Sequence, residues 1–265
     1  MKKIAPFLCI AGWLAALGCQ QQDKSAETRS MPRPLTTTNQ ADSIVNQSII
    51  QYGGDLYDNS IIRFTFRNRR YKARRRGGSF EYERVFSDSL GQTVRDVFNN
   101  GGLYREINGN RLKISEKDSS AYASSVNSVV YFALLPAPLN DHAVIREYLG
   151  ETTIKGQPYH KIRITFRQDG GGKDFEDEYV YWFHRDEGTM AYLAYNYLTD
   201  GGGARFREAF NIRDVNGIRF ADYINYKPKD ANNRDVRTFD QLFEAGQLEE
   251  LSRIETEAVE VIIIQ

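Results

Sequence analysis

The sequence is poor in the residues from which reactive centres are most often built. Of 265 residues, two are cysteine and three are histidine. Cys9 lies inside an apolar N-terminal stretch, so an exported, processed chain keeps Cys19 alone, and disulfides, thiolate metal sites and cysteine nucleophiles are excluded. His142, His160 and His184 lie far apart with no HExxH or paired-histidine spacing, and no metal is expected. Charge of one sign is lacking too. The 35 Lys and Arg balance 35 Asp and Glu, without the basic excess of a nucleic-acid binder. No apolar run reaches the roughly 18 residues of a membrane-spanning helix. The Gly-rich stretches at 170–172 and 201–203 have no P-loop Lys-Ser/Thr, and no G-x-S-x-G is present. The acidic stretch from Asp169 lacks the ligand order of an EF-hand and reads as a solvated hairpin tip. No cofactor is called for.

What is present begins with an export signal. Lys2 and Lys3 precede an apolar stretch from Ile4 to Leu17, then Gly18 and Cys19. This layout resembles the bacterial lipoprotein type of signal. The resemblance implies that residues 1–18 are removed and that Cys19 carries the acyl chains. Several buried acyl chains give stable attachment at about 0.8 kcal/mol per methylene. The polar, Pro-containing residues 19–39 then form a lipidated tether, and residues 40–265 a single domain. Gln20, in place of the Asp that marks inner-membrane retention in such families, implies an outer-membrane address. Which face of that membrane the chain occupies, and its oligomeric state, are not set by the sequence.

The domain is rich in aromatic residues, with 16 Tyr and 15 Phe. Ala41 to Tyr52 has helical spacing, with Ile44, Val45, Ile49 and Tyr52 on one side and Gly53-Gly54 as a stop. Beyond it the dominant period is two. Ile62, Phe64 and Phe66 alternate with polar residues, as do Ile162, Ile164 and Phe166, then Tyr179, Tyr181 and Phe183, then Leu193, Tyr195 and Tyr197. Phe206 and Phe210, then Phe220, Ile224 and Tyr226, continue the pattern. Turn signals such as Gly77-Gly78, Asn108-Gly109 and Asn216-Gly217 separate the runs, predicting an antiparallel meander. Ser119 to Leu149 reads as two short helices broken at Pro136 and Pro138, and Gln241 to Leu251 as a further helix before a last strand.

The leading helix, the meander and the insertion "LLPAPLND" before "LGETTIKGQPYHKIRITF" resemble the outer-membrane lipoprotein-sorting carrier fold. The stretches "VNSVVYFALLPAPLNDHAV", "GGGKDFEDEYVYW", "YLAYNY" and "RFREAFNIRDVNGIRFADYINY" resemble an uncharacterised family of exported bacterial lipoproteins over roughly residues 40–264. The resemblance implies an α+β, mostly β class: a curved antiparallel half-barrel sheet with an N-terminal helix and a helical lid insertion.

Strand parity nominates the site. His160 shares a face with Ile162, and Asp177 with Tyr179. Both stand at strand starts, where water reaches them. Glu208 shares a face with Phe206 and Phe210, and Asp222 with Phe220, Ile224 and Tyr226. A buried carboxylate must be paired or line a wet cavity. Arg205, Arg207 and Arg219 point to the opposite face in ideal register, so an arginine partner requires a bulge. The expectation is a binding or carrier module for an apolar or amphipathic ligand. Tyr179, Tyr181, Phe206, Phe220, Ile224 and Tyr226 would supply contact area, and Glu208 and Asp222, with His160 nearby, would orient a polar head. Two alternatives use the same residues: an envelope hydrolase with Glu208 and Asp222 as a carboxylate pair aided by His160, or a structural subunit of an outer-membrane complex.

Charge is unevenly distributed: 19 basic against 12 acidic residues over 1–133, and 16 against 23 over 134–265. Seven basic residues lie between Arg67 and Arg76. They fit either a solvated hairpin or a patch that meets anionic lipid head groups or a polyanionic glycan.

Overall fold

The computed structural model describes residues 37–167, 177–198 and 201–264. The expected signal peptide, Cys19 and nearly all of the tether lie outside the described residues. Helix α1 (Thr37–Tyr52) comes first. Its buried stripe is Ala41, Val45, Ser48 and Tyr52, the i, i+4, i+7, i+11 spacing of one helical face. Gly53 stops it at φ 135°, and a side chain there would come within 3.1 Å of Ile218 and of the Gly217 carbonyl.

The strands form two seven-stranded antiparallel sheets that do not close into a barrel. The first holds β1 (Ser60–Phe66), β2 (Arg69–Arg76), β3 (Ser79–Ser87), β4 (Thr93–Asn99), β5 (Gly102–Ile107) and β6 (Asn110–Leu112), with β14 (Glu257–Ile263) beside β1. The second runs in unbroken sequence order through β7 (Val144–Ile154), β8 (Gln157–Phe166), β9 (Tyr179–His184), β10 (Met190–Tyr197), β11 (Gly203–Val215), β12 (Ile218–Pro228) and β13 (Leu248–Ile254). Two-residue hairpins with both φ positive join many neighbours, among them Asn108-Gly109 and Asn216-Gly217. Such turns match the right-handed twist of the flanking strands.

Helix α2 (Glu116–Ala133) is the inserted lid element. Ser115 caps it, its Oγ accepting from the Asp118 amide at 3.1 Å. The prolines end the helix as expected, and residues 137–140 make a single 3-10 turn. Leu139 to Leu149 is not a helix, because Val144 onward pairs with β8 through the Lys155-Gly156 hairpin. Its apolar spacing suits either structure, and strand pairing decides. Likewise α3 (Phe239–Glu244) is shorter than expected, ending at Gly246 with φ 64° before β13.

The main core lies between the sheets. Ile62, Phe64 and Tyr82 of the first meet Ile164, Tyr181 and Leu193 of the second, with α1 and α2 closing the sides. A second core covers the other face of the second sheet. There Trp182, Tyr192 and Phe206 pack under Val236, Phe239 and Phe243 of the α3 segment. The second sheet is thus buried on both faces.

The two sheets meet at one corner, where β13 passes into β14 across Glu255 and Thr256. Buried Asp222 of β12 holds this corner. Its Oδ1 accepts from the Thr256 amide (2.9 Å), the Thr256 hydroxyl (3.2 Å) and Arg213 Nη2 (3.1 Å), and its Oδ2 accepts from Asn211 Nδ2 (2.6 Å). Arg213 also donates to the Thr256 carbonyl at 2.7 Å. This pairing depends on a bulge. The β11–β12 register gains one residue on β11 between Phe210 and Arg213, with Asn211 at φ 48°, which rotates Arg213 onto the Asp222 side. Asp222→Ala leaves Arg213 without its counter-charge and the Thr256 amide without its acceptor. It is expected to lower unfolding free energy by roughly 3 kcal/mol, read as a lower midpoint in urea denaturation.

Candidate functional site: a cavity between the sheets

A cavity of about 800 Å³ opens between the sheets beneath α2, within the range of about 300–1,000 Å³ typical of small-molecule sites. The first sheet contributes Phe66, Phe80, Tyr82 and Phe98 to its wall, and α2 contributes Tyr131 and Phe132. The second sheet contributes Phe166, Tyr179, Tyr181, Leu193 and Tyr195. Strand pairing places these rings in a ladder. Tyr179 stacks on Tyr195 (centroids 5.4 Å, planes 18° apart) and meets Phe166 edge-on at 5.7 Å. Phe66 meets Phe132 at 5.2 Å, joining the lid to the first sheet. Such contacts add specificity of geometry to the apolar area they bury.

Five charged residues line this wall, Asp58, Arg67, Arg75, Asp141 and Arg207, and they differ in how they are answered: Arg67 is exposed and lies over the Phe66 ring at 5.0 Å. Arg75 of β2 reaches Asp141 at 2.6 Å and Asp58 at 3.7 Å, and donates to the Tyr82 hydroxyl at 3.3 Å. Arg207 of β11 has no carboxylate within salt-bridge distance among the described residues. Its Nη2 donates to the Tyr195 hydroxyl at 3.0 Å, and its guanidinium lies over the rings of Tyr195 (5.1 Å) and Phe132 (5.5 Å). Arg207 Nε, the Tyr131 hydroxyl and Asn225 Oδ1 are buried without hydrogen-bond partners, and all three residues line the cavity. Burial pushes the phenols of Tyr131 and Tyr181 well up, so both remain neutral.

The residues nominated by parity divide between the two faces of the second sheet. Tyr179 and Tyr181 line the cavity. Phe206 and Tyr226 belong to the outer core against Phe243, at 4.9 and 5.4 Å. Glu208 faces Ile224 across the β11–β12 pair and is an ion-pair partner of Lys155, while the Tyr226 hydroxyl donates to it at 3.2 Å. Neither Glu208 nor Ile224 lines the cavity. Phe220 is buried in the main core outside the cavity wall, and Asp222 holds the corner. Glu208 and Asp222 sit on adjacent strands but in separate, filled networks, so no open cleft lies between two free carboxylates. His160 stands apart on β8, its Nδ1 3.2 Å from the Tyr148 hydroxyl and 3.6 Å from Glu151.

Parity misplaced these residues because the sheet has two apolar faces. Antiparallel pairing carries the face of Tyr181 to Leu193 and then to Arg207 and Asn225, whereas Phe206 pairs with Tyr226 on the outside. The missed cavity residues are therefore Arg207, Asn225 and, on the lid, Tyr131. The signal for Arg207 was its register with Leu193, obscured by the bulkier Phe206 and Phe210 beside it. The basic run of β2 is also divided. Lys72 pairs with Glu81 and Glu83 and Arg75 with Asp141, while Arg70, Arg74 and Arg76 are exposed.

Fold and site together define a helix-capped, open pair of antiparallel sheets around an aromatic cavity. Residues 36–256 match the family of unknown function DUF6503, and the chain belongs to that family. Among solved structures, a LolA superfamily protein from Nitrosomonas europaea is similar at 10% identity, over 85% of this chain and 94% of that one, with a TM-score of 0.46. A DUF1329 family protein from Desulfovibrio piger is similar at 11% identity, over 83% and 92%, also with a TM-score of 0.46. No curated protein matches.

Burial lowers the His160 pKa from its ordinary 6.5, with Glu151 opposing and Arg185 adding to the shift. The folded chain then binds fewer protons than the unfolded one just below pH 6.5, so the His160 contribution is full above that pH and is lost as the pH falls through this window. A proton-detected titration should give a His160 midpoint below 6.5. In His160→Gln the stability-versus-pH slope over the same window should be shallower.

Proposed function

We propose that this chain is an envelope lipoprotein that binds an amphipathic ligand and carries or presents it, without covalent chemistry. The observation that supports this reading best is the cavity itself: an aromatic-walled space of about 800 Å³ between two sheets, capped by a helix and lined by buried polar groups without partners. A packed core of this chain length needs no such space. A site for an amphipathic ligand needs apolar and polar lining together, and here the rings of Phe66, Phe166, Tyr179 and Tyr195 share the wall with Arg75, Asp141, Arg207 and Asn225. In the same reading Cys19 is acylated and holds the domain at the outer membrane through residues 19–39. The Lys2-to-Cys19 pattern is what supports it.

Native mass spectrometry of protein prepared without detergent, followed by organic extraction, should recover a bound amphiphile. Repeated recovery of ligand-free protein would end the proposal. Ser128 lies exposed at the lid edge of the cavity. Ser128→Trp places a large ring at the mouth at little cost to folding and should weaken binding of a fluorescent fatty-acid probe about tenfold or more. For the anchor, Cys19→Ser should remove acyl mass from the mature protein and shift it from the membrane to the soluble fraction.

A further inference from the structure

The proposed ligand-binding reading leaves open which head group the cavity takes, and Arg207 bears on that question. It sits mid-strand on β11, between Leu193 of β10 and Asn225 of β12 in the hydrogen-bonded register. It is therefore fixed on the floor of the cavity rather than at its rim. Most other buried or half-buried charges of the fold have an opposite charge at contact distance. Asp96, fully buried, accepts from Arg84 at 2.6 Å and from Arg105 at 2.6 Å. Asp240 holds Lys161 at 3.0 Å, Asp222 holds Arg213, and Arg75 holds Asp141. Arg207 has only the Tyr195 hydroxyl and two ring faces among the described residues, and its Nε is unpartnered.

A half-buried guanidinium without an anion at contact distance carries a desolvation cost that ring faces offset only in part, and the cavity's own carboxylates, Asp58 and Asp141, are held by Arg75. Polar groups that line the same cavity are suited to an oxyanion. Arg207 retains a free N–H that can join a second one in a fork toward two oxygens. The Tyr131 hydroxyl on the lid side is a buried donor with no acceptor. Asn225, opposite Arg207, has a side-chain amide whose N–H donates to Ser252 and whose Oδ1 is unpartnered, available to a protonated oxygen.

We propose that the cavity selects an amphiphile with a compact anionic oxyacid head, a carboxylate or a phosphate monoester, whose charge is answered by Arg207 while its chain lies along the Tyr179–Tyr195 ladder. The inference rests on the binding role proposed above. It goes beyond that role in assigning the sign of the head group and the residue that reads it.

The test compares four single-chain probes of matched chain length on the full-length protein stripped of lipid: laurate, dodecyl phosphate, dodecyl maltoside and dodecylphosphocholine. Binding is read by displacement of a fluorescent probe. Laurate or dodecyl phosphate should bind at least tenfold tighter than the uncharged maltoside and the zwitterionic phosphocholine. Preference for one of the two anions identifies the source of the head group. Arg207→Gln should abolish the difference while leaving the maltoside affinity within twofold, and Arg207→Lys should restore part of it. Retained thermal midpoints in both variants show that the fold persists. Should Arg207→Gln fail to fold, the head-group comparison in the unaltered protein and in Arg207→Lys still decides. Equal binding of charged and uncharged probes, or an anion preference that survives Arg207→Gln, overturns the inference and leaves the binding role standing. Failure of all four probes to bind overturns both.

Discussion

The carboxylate of Asp222 holds the corner on which the rest of the architecture depends. Two seven-stranded sheets can flank a space only if something fixes the angle at which they meet, and here the shorter of the two covalent links, from β13 to β14, is two residues long. Asp222 ties strand β12 to Thr256 in that link and to Arg213 on the bulged neighbour. A second tether runs from Asn216 Nδ2 to the Val261 carbonyl at 3.0 Å, joining the β11–β12 turn to β14. An almost fully buried carboxylate is tolerable because every lone pair that points inward has a donor. With the corner fixed, the sheets diverge from it, and the cavity is the space between them.

The second sheet then performs two tasks with one set of strands. Its inner face builds the cavity wall from Tyr179, Tyr181, Leu193 and Tyr195. Its outer face packs Trp182, Tyr192 and Phe206 under the α3 segment. The outer core stiffens the strands, so the inner rings keep their register without needing to fill the space themselves. Lys161 and buried Asp240 anchor α3 to that outer face at 3.0 and 3.1 Å. Glu208 belongs to this outer layer, where Lys155 and Tyr226 satisfy it.

The lid helix is attached by charge rather than by apolar area alone. Arg84 bridges Asp96 of the first sheet to Ser125 of α2 at 2.7 Å, and Arg105, also bound to Asp96, lies 3.5 Å from the ring centre of Tyr122. One fully buried aspartate thus positions two arginines that carry the helix. Against this economy of paired charges, Arg207 stands out as a half-buried cavity residue with no opposite charge at contact distance among the described residues.

The sequence by itself determined the local elements and the class. Helical spacing and Gly53 marked α1, period-two runs marked the strands, and Asn-Gly pairs marked the hairpins, because each depends on neighbours a few residues apart. The parity of β9 put Tyr179 and Tyr181 on one face, and that face lines the cavity. Tertiary structure decided which of two apolar faces became the cavity, since Phe206 and Arg207 differ in role only through what lies above and below the sheet. It also decided the fate of the carboxylates. Asp222 met its arginine through a one-residue bulge that no pattern of side chains announced. Glu208 met Lys155 from a hairpin 53 positions away. Residues 144–149 carried spacing fit for a helix until pairing with β8 claimed their amides. Local preference is a matter of fractions of a kcal/mol per residue, and the burial of a whole strand outweighs it.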